Sequence, residues 1–66
     1  MTTIFTPQRI RAQAIKDGQD VYLTDCDGWS LNITSAEVIT SQDDADFRLG
    51  FARRLREVIN AELIAA

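Results

Sequence analysis

Asp25-Cys26-Asp27-Gly28 is the tightest grouping of chemically capable side chains in this sequence. Two carboxylates and a thiol beside a glycine invite two readings, a cation site and a nucleophile. An EF-hand calcium loop needs oxygen ligands at its first, third and fifth positions, glycine at the sixth and glutamate at the twelfth. With Gly28 as the sixth, the first is Leu23 and the twelfth is Thr34, so both end ligands are missing. The thiol fares no better. No Lys, Arg or His stands near Cys26 in sequence to lower its pKa, and the flanking aspartates would raise it. Turn chemistry accounts for the motif.

The rest of the chain offers no catalytic set. There is no histidine for general-base work, no glycine-rich phosphate cradle, and no serine with a plausible base. One cysteine and no histidine exclude an internal disulfide framework and make a zinc site improbable. The expectation is a protein that is not an enzyme and that uses no metal and no cofactor. Asn32-Ile33-Thr34 matches a glycosylation sequon, but no secretory leader accompanies it, so the match reads as chance.

Charge is the informative feature. Between Lys16 and Arg48 lie Asp17, Asp20, Asp25, Asp27, Glu37, Asp43, Asp44 and Asp46 without one basic residue, inside a chain whose net charge is −3. All the positive charge is in the flanks, as Arg9, Arg11 and Lys16 before and Arg48, Arg53, Arg54 and Arg56 after. The acidic middle would repel nucleic acid and attract a basic partner. Arg53, Arg54 and Arg56 form the one basic cluster, and their plainer reading is a solvated face paired with acids of the same chain.

Sixty-six residues with 45% apolar and 26% charged content describe one small folded domain, residues 1–66, with a marginal core. No apolar run approaches the roughly 20 residues of a membrane span. With no leader visible at the N-terminus, a cytoplasmic location is expected.

The elements that must position these charges read as follows. Thr6-Pro7 suits a helix start, with Phe5 and Ile10 spaced as a hydrophobic staple, which predicts a helix over about 7–17 closed by Gly18. A strand is the rival there. Arg9 to Ala14 alternates polar and apolar, and Asp17-Gly18 is a hairpin signal. Staple, proline and alanine content favour the helix. Residues 21–34 read as a β-hairpin of β-branched and aromatic residues. A three-residue loop, Cys26-Asp27-Gly28, would put Leu23 opposite Leu31 and Val21 opposite Ile33, with Trp29 inward and Gly28 in the left-handed region. Residues 35–40 read equally as a helical turn or a third strand.

The last segment reads as a long amphipathic helix over about 43–65, capped by Ser41 or Asp43. Phe47, Phe51, Ala52, Leu55, Val58, Ile59 and Leu63 would form its apolar stripe, roughly 160° wide. Arg48 and Glu62 intrude on that stripe, and Arg48 would snorkel past the sheet or pair with a preceding aspartate. The expected fold is therefore α+β, a helix, a β-hairpin and a long C-terminal helix packed on one face of the sheet. The C-terminal half of the last helix (Val58, Ile59, Leu63, Ile64) would lack a partner within the chain, and a homodimer would supply one.

The function expected is that of a small acidic inhibitor or regulator. It would occupy a basic, nucleic-acid-binding surface of a partner protein through Asp20, Asp25, Asp27, Glu37, Asp43, Asp44 and Asp46. Short acidic domains without catalytic residues are a profile common among bacteriophage and mobile-element anti-defence proteins, an analogy of composition with no shared motif. The alternative is a dimeric DNA-binding regulator or antitoxin-like protein that uses Arg53, Arg54 and Arg56.

Overall fold

The computed structural model of the chain describes residues 5–66; residues 1–4, on which the reading of no leader rests, lie outside that range. Four strands and one helix follow one another as β1 (Gln8–Ala14), β2 (Asp20–Leu23), β3 (Trp29–Ser30), α1 (Gln42–Arg54) and β4 (Val58–Ala65). The sheet is antiparallel throughout, in the order β3-β2-β1-β4, so the first and last strands are neighbours. Helix α1 covers one face, and among the described residues the other face carries no α-helix.

The expected first helix is strand β1. Its alternation decides the matter: Ile10, Ala12 and Ala14 are buried, while Arg9, Arg11 and Gln13 point to the opposite face. A helix would have put Ala12 on the side opposite Ile10 and Ala14. Local propensity for Arg, Gln and Ala favours helix, but a strand here pairs on both sides, with β2 and with β4. Gly18 does adopt the left-handed region, at φ 72°, as part of the β1–β2 turn. Its N–H donates to Ala14 O at 2.7 Å.

The hairpin forms within its expected span with a different register. Leu23 faces Trp29 and Tyr22 faces Ser30. Thr24 N–H donates to Gly28 O at 2.8 Å, so the loop is Asp25-Cys26-Asp27, one residue earlier than expected. The left-handed residue is Asp27, at φ 63°, and not Gly28. The shift in pairing is two residues, so Val21, Leu23 and Trp29 keep the inner face. Leu31, expected to pair, is exposed. A 3₁₀ turn at Ile33–Ser35 lies just ahead of 35–40, and within that span a single bridge joins Ile39 to Gln8, with 2.7 and 2.9 Å hydrogen bonds in both directions.

The long C-terminal helix is also corrected. Ser41 caps α1 by accepting from Asp44 N–H, Asp43 and Asp44 occupy the first turn, and the helix ends at Arg54 with Leu55 already extended. Residues 58–65 are a strand because they complete the free side of β1, Gln8 facing Ala65 and Ala14 facing Val58. A bulge disguises it. Asn60 sits at φ 58°, a conformation asparagine tolerates, and the register with β1 shifts there. Val58 and Ala61 therefore both point inward, at a spacing of three that imitates a helix.

Removing residues 58–65 from the helix turns its buried stripe by roughly a quarter turn, at about 100° per residue. Ala45 and Ala52 are fully buried, Leu49, Phe51 and Leu55 partly so, and Phe47 is 71% exposed. The core joins Ile10, Ala12, Ala14, Val21, Leu23, Ile39, Val58 and Ala61 to those two alanines. Small residues on both the sheet and the helix let α1 lie close against β1 and β4.

Candidate functional site

The hairpin tip, residue 37 and the middle of α1 meet at Arg48. Its Nη1 donates to Asp27 Oδ1 at 2.6 Å, its Nε to Glu37 Oε1 at 2.8 Å and its Nη2 to Thr24 O at 3.0 Å. The guanidinium also lies 5.2 Å from the centre of the Phe51 ring. The left-handed conformation of Asp27 aims its carboxylate at the helix, and Glu37 is held there by its own N–H donating to Leu23 O at 3.0 Å. Burial works against the charge on Arg48, but the carboxylates of Asp27 and Glu37 outweigh it and hold the guanidinium above its ordinary pKa. The intrusion of Arg48 into an apolar stripe was the sequence signal for this contact, although its two partners were not identifiable.

The seven acids expected to bind a partner thus divide. Asp27 and Glu37 are engaged by Arg48 inside the chain. Asp44 lies one helical turn before Arg48 on the same flank of α1. Asp43 and Asp46 are exposed on α1, where Asp46 accepts from Gln42 Nε2 at 2.9 Å. Asp25 is exposed at the tip of the hairpin that Arg48 ties down. Asp20 is set apart, at the opposite end of β2 from that tip. It borders a polar recess of about 310 Å³ on the uncovered face of the sheet, with Arg11, Gln13, Asn60 and Glu62. Arg11 pairs with Glu62 across that recess, which places Glu62 on the open face and not in an apolar stripe.

The three arginines of the alternative reading stay at the surface. Arg53 and Arg54 end α1, where cations suit the helix dipole, and Arg56 lies in the turn before β4. Cys26 is exposed, and its Sγ donates to Asp25 Oδ1 at 3.4 Å. That hydrogen bond and the charge of Asp25, with a further contribution from Asp27, push the thiol up, the reverse of what a nucleophile needs. Among the described residues, no three of Asp, Glu and Cys converge as metal ligands would.

A family model described as "Protein of unknown function (DUF2849)" matches residues 8–66. The chain belongs to the DUF2849 family. The matched span starts at the first residue of β1, so every element of this DUF2849 fold lies within it. No curated protein and no solved structure matches the chain. Among the described residues of the DUF2849 domain, no helix is long and apolar enough to cross a membrane.

Proposed function

We propose that this protein is a non-enzymatic binding module that occupies a basic surface of a protein partner through its acidic side. One observation supports the reading above others. Arg48 fastens the hairpin tip to α1, so Asp25 and the acids of the first helical turns project from one rigid unit. Asp25, Asp43 and Asp44 have no ion-pair partner within the chain among the described residues, which leaves their charge for a partner. Carboxylates so fixed would meet Lys and Arg side chains and steer association. The competing use of Arg53, Arg54 and Arg56 on DNA suits α1 poorly, because the same helix would carry Asp43, Asp44 and Asp46 toward the phosphates.

The test is capture from cells of the source organism on immobilised protein, with duplex DNA as competitor. Captured proteins should be basic, be released by DNA and by raised salt, and be lost on Asp25→Lys with Asp44→Lys, a variant that spares the Arg48 contacts. Capture that survives both salt and charge reversal would reject the reading, and loss on reversing Arg53 and Arg56 to Glu would favour the helix end instead.

A further inference from the structure

Helix α1 has a second face that the fold does not use. Asp43, Phe47, Gly50 and Arg54 recur at steps of four, three and four, which lines them along one side of the helix, roughly opposite Ala45 and Ala52. Phe47 is 71% exposed there. Gly50 opens a depression of about 180 Å³ beside it, bordered by Asp46, Phe47, Phe51 and Arg54, on the scale of one aromatic side chain. A Cβ at Gly50 would meet nothing within 4 Å, so no contact inside the chain requires glycine. Glycine in an exposed helix interior costs up to about 1 kcal/mol relative to alanine. Neither Asp43 nor Arg54 has an ionic partner in the chain among the described residues.

We infer that this face is a self-association surface, on which α1 packs antiparallel against α1 of a second copy with Phe47 seated over Gly50 of that copy. The register is dictated by the spacing. When Phe47 faces Gly50 across a two-fold axis, Asp43 falls opposite Arg54, and symmetry repeats both contacts at the other end. Two aromatic knobs then enter two glycine notches, flanked by two opposite-charge pairs. A parallel arrangement would set Asp43 against Asp43 and Arg54 against Arg54, so charge selects the antiparallel one. Glycine at the contact makes room for the facing Phe47 ring while the helix axes keep the usual separation of about 8–10 Å. The occupant is a second copy because the face is complementary to itself. The inference does not rest on the acidic-surface reading.

Sedimentation equilibrium over a concentration series, with circular dichroism to follow the fold, tests it. The wild type should show a monomer–dimer equilibrium. Gly50→Gln should keep or raise the melting temperature of the monomer while weakening the dimer at least about tenfold. Phe47→Ser should weaken it likewise. Asp43→Arg and Arg54→Asp should each weaken association, and the two combined should restore it. A wild type that is monomeric at every concentration overturns the inference. So does a dimer indifferent to Gly50→Gln, or single charge variants that the double variant fails to rescue.

Discussion

Arg48 and Arg11 each pair with carboxylates distant in sequence, yet they do different work. Arg48 is 14% exposed at its side chain, reaches two carboxylates and a backbone carbonyl, and lies over an aromatic ring. Arg11 is 38% exposed and meets one carboxylate, Glu62, on the uncovered face of the sheet. Exposed pairs contribute little because water and salt serve either charge nearly as well. Arg48 joins three segments, the hairpin loop, the strap through residue 37 and the helix, beside one backbone bond from Glu37 N–H to Leu23 O. Number of partners and degree of burial separate the two sites.

Truncation should expose the difference most plainly. Arg48→Ala is expected to lower stability by about 1.5–3 kcal/mol, the range for hydrogen bonds to charged groups, read as a shift of the urea midpoint at constant slope. Arg48→Lys keeps the charge but loses the fork and should recover only part. If Arg48→Ala leaves the midpoint unchanged, the loop and strap are held by their backbone bonds alone.

The next effect is conformational. Asp27 occupies the left-handed region, so Asp27→Ala should be less stable than Asp27→Gly by about 1 kcal/mol, although both lose the Arg48 contact. Gly28→Val should cost less than Asp27→Val, because Gly28 is not left-handed and its Cβ would meet only Thr24 Oγ1 at 3.6 Å. The opposite ranking would restore the Cys26-Asp27-Gly28 loop.

The smallest effects belong to exposed groups. Arg11→Ala should leave the urea midpoint within experimental scatter at 0.15 M salt, and a clear loss would mean that the open face depends on its ion pair. Cys26 has a folded-state pKa above its ordinary value, so the protonated thiol is the form the fold favours. Any stability it lends is complete below the unfolded pKa and falls away as pH rises through the folded one. Alkylation of Cys26 should accordingly set in at higher pH than in a cysteine peptide. Asp25→Asn should move the onset down.

How far the sequence discloses this fold depends on whether a segment's partners are near it. The β2–β3 hairpin is readable because Val21, Leu23 and Trp29 carry their strand character locally, and an error of two residues in register left the faces intact. The capped start of α1 is readable for the same reason, in Ser41, Asp43 and Asp44. Strand β1 is not, since its Arg, Gln and Ala would make an acceptable helix and become a strand through pairing at both edges. Strand β4 is hidden by Asn60, whose bulge spaces Val58 and Ala61 like helix neighbours, and a helix continued through them would carry Phe47 on its buried stripe. Of the candidate site, the acids were visible by composition. Which of them Arg48 would claim depended on a loop that folds back onto a helix.

The pairing of β1 with β4 has a consequence for how the domain is made. Gln8 faces Ala65, so the pair that adds the last edge strand to the sheet joins residues far apart in sequence. Contacts of such separation are slow to form, because a large loop must close before they yield any stabilisation. On the ribosome, β1 emerges before β4 and waits with one bare edge until the residues after Arg56 have left the exit tunnel. Throughout that interval the edge is open to any other nascent strand nearby.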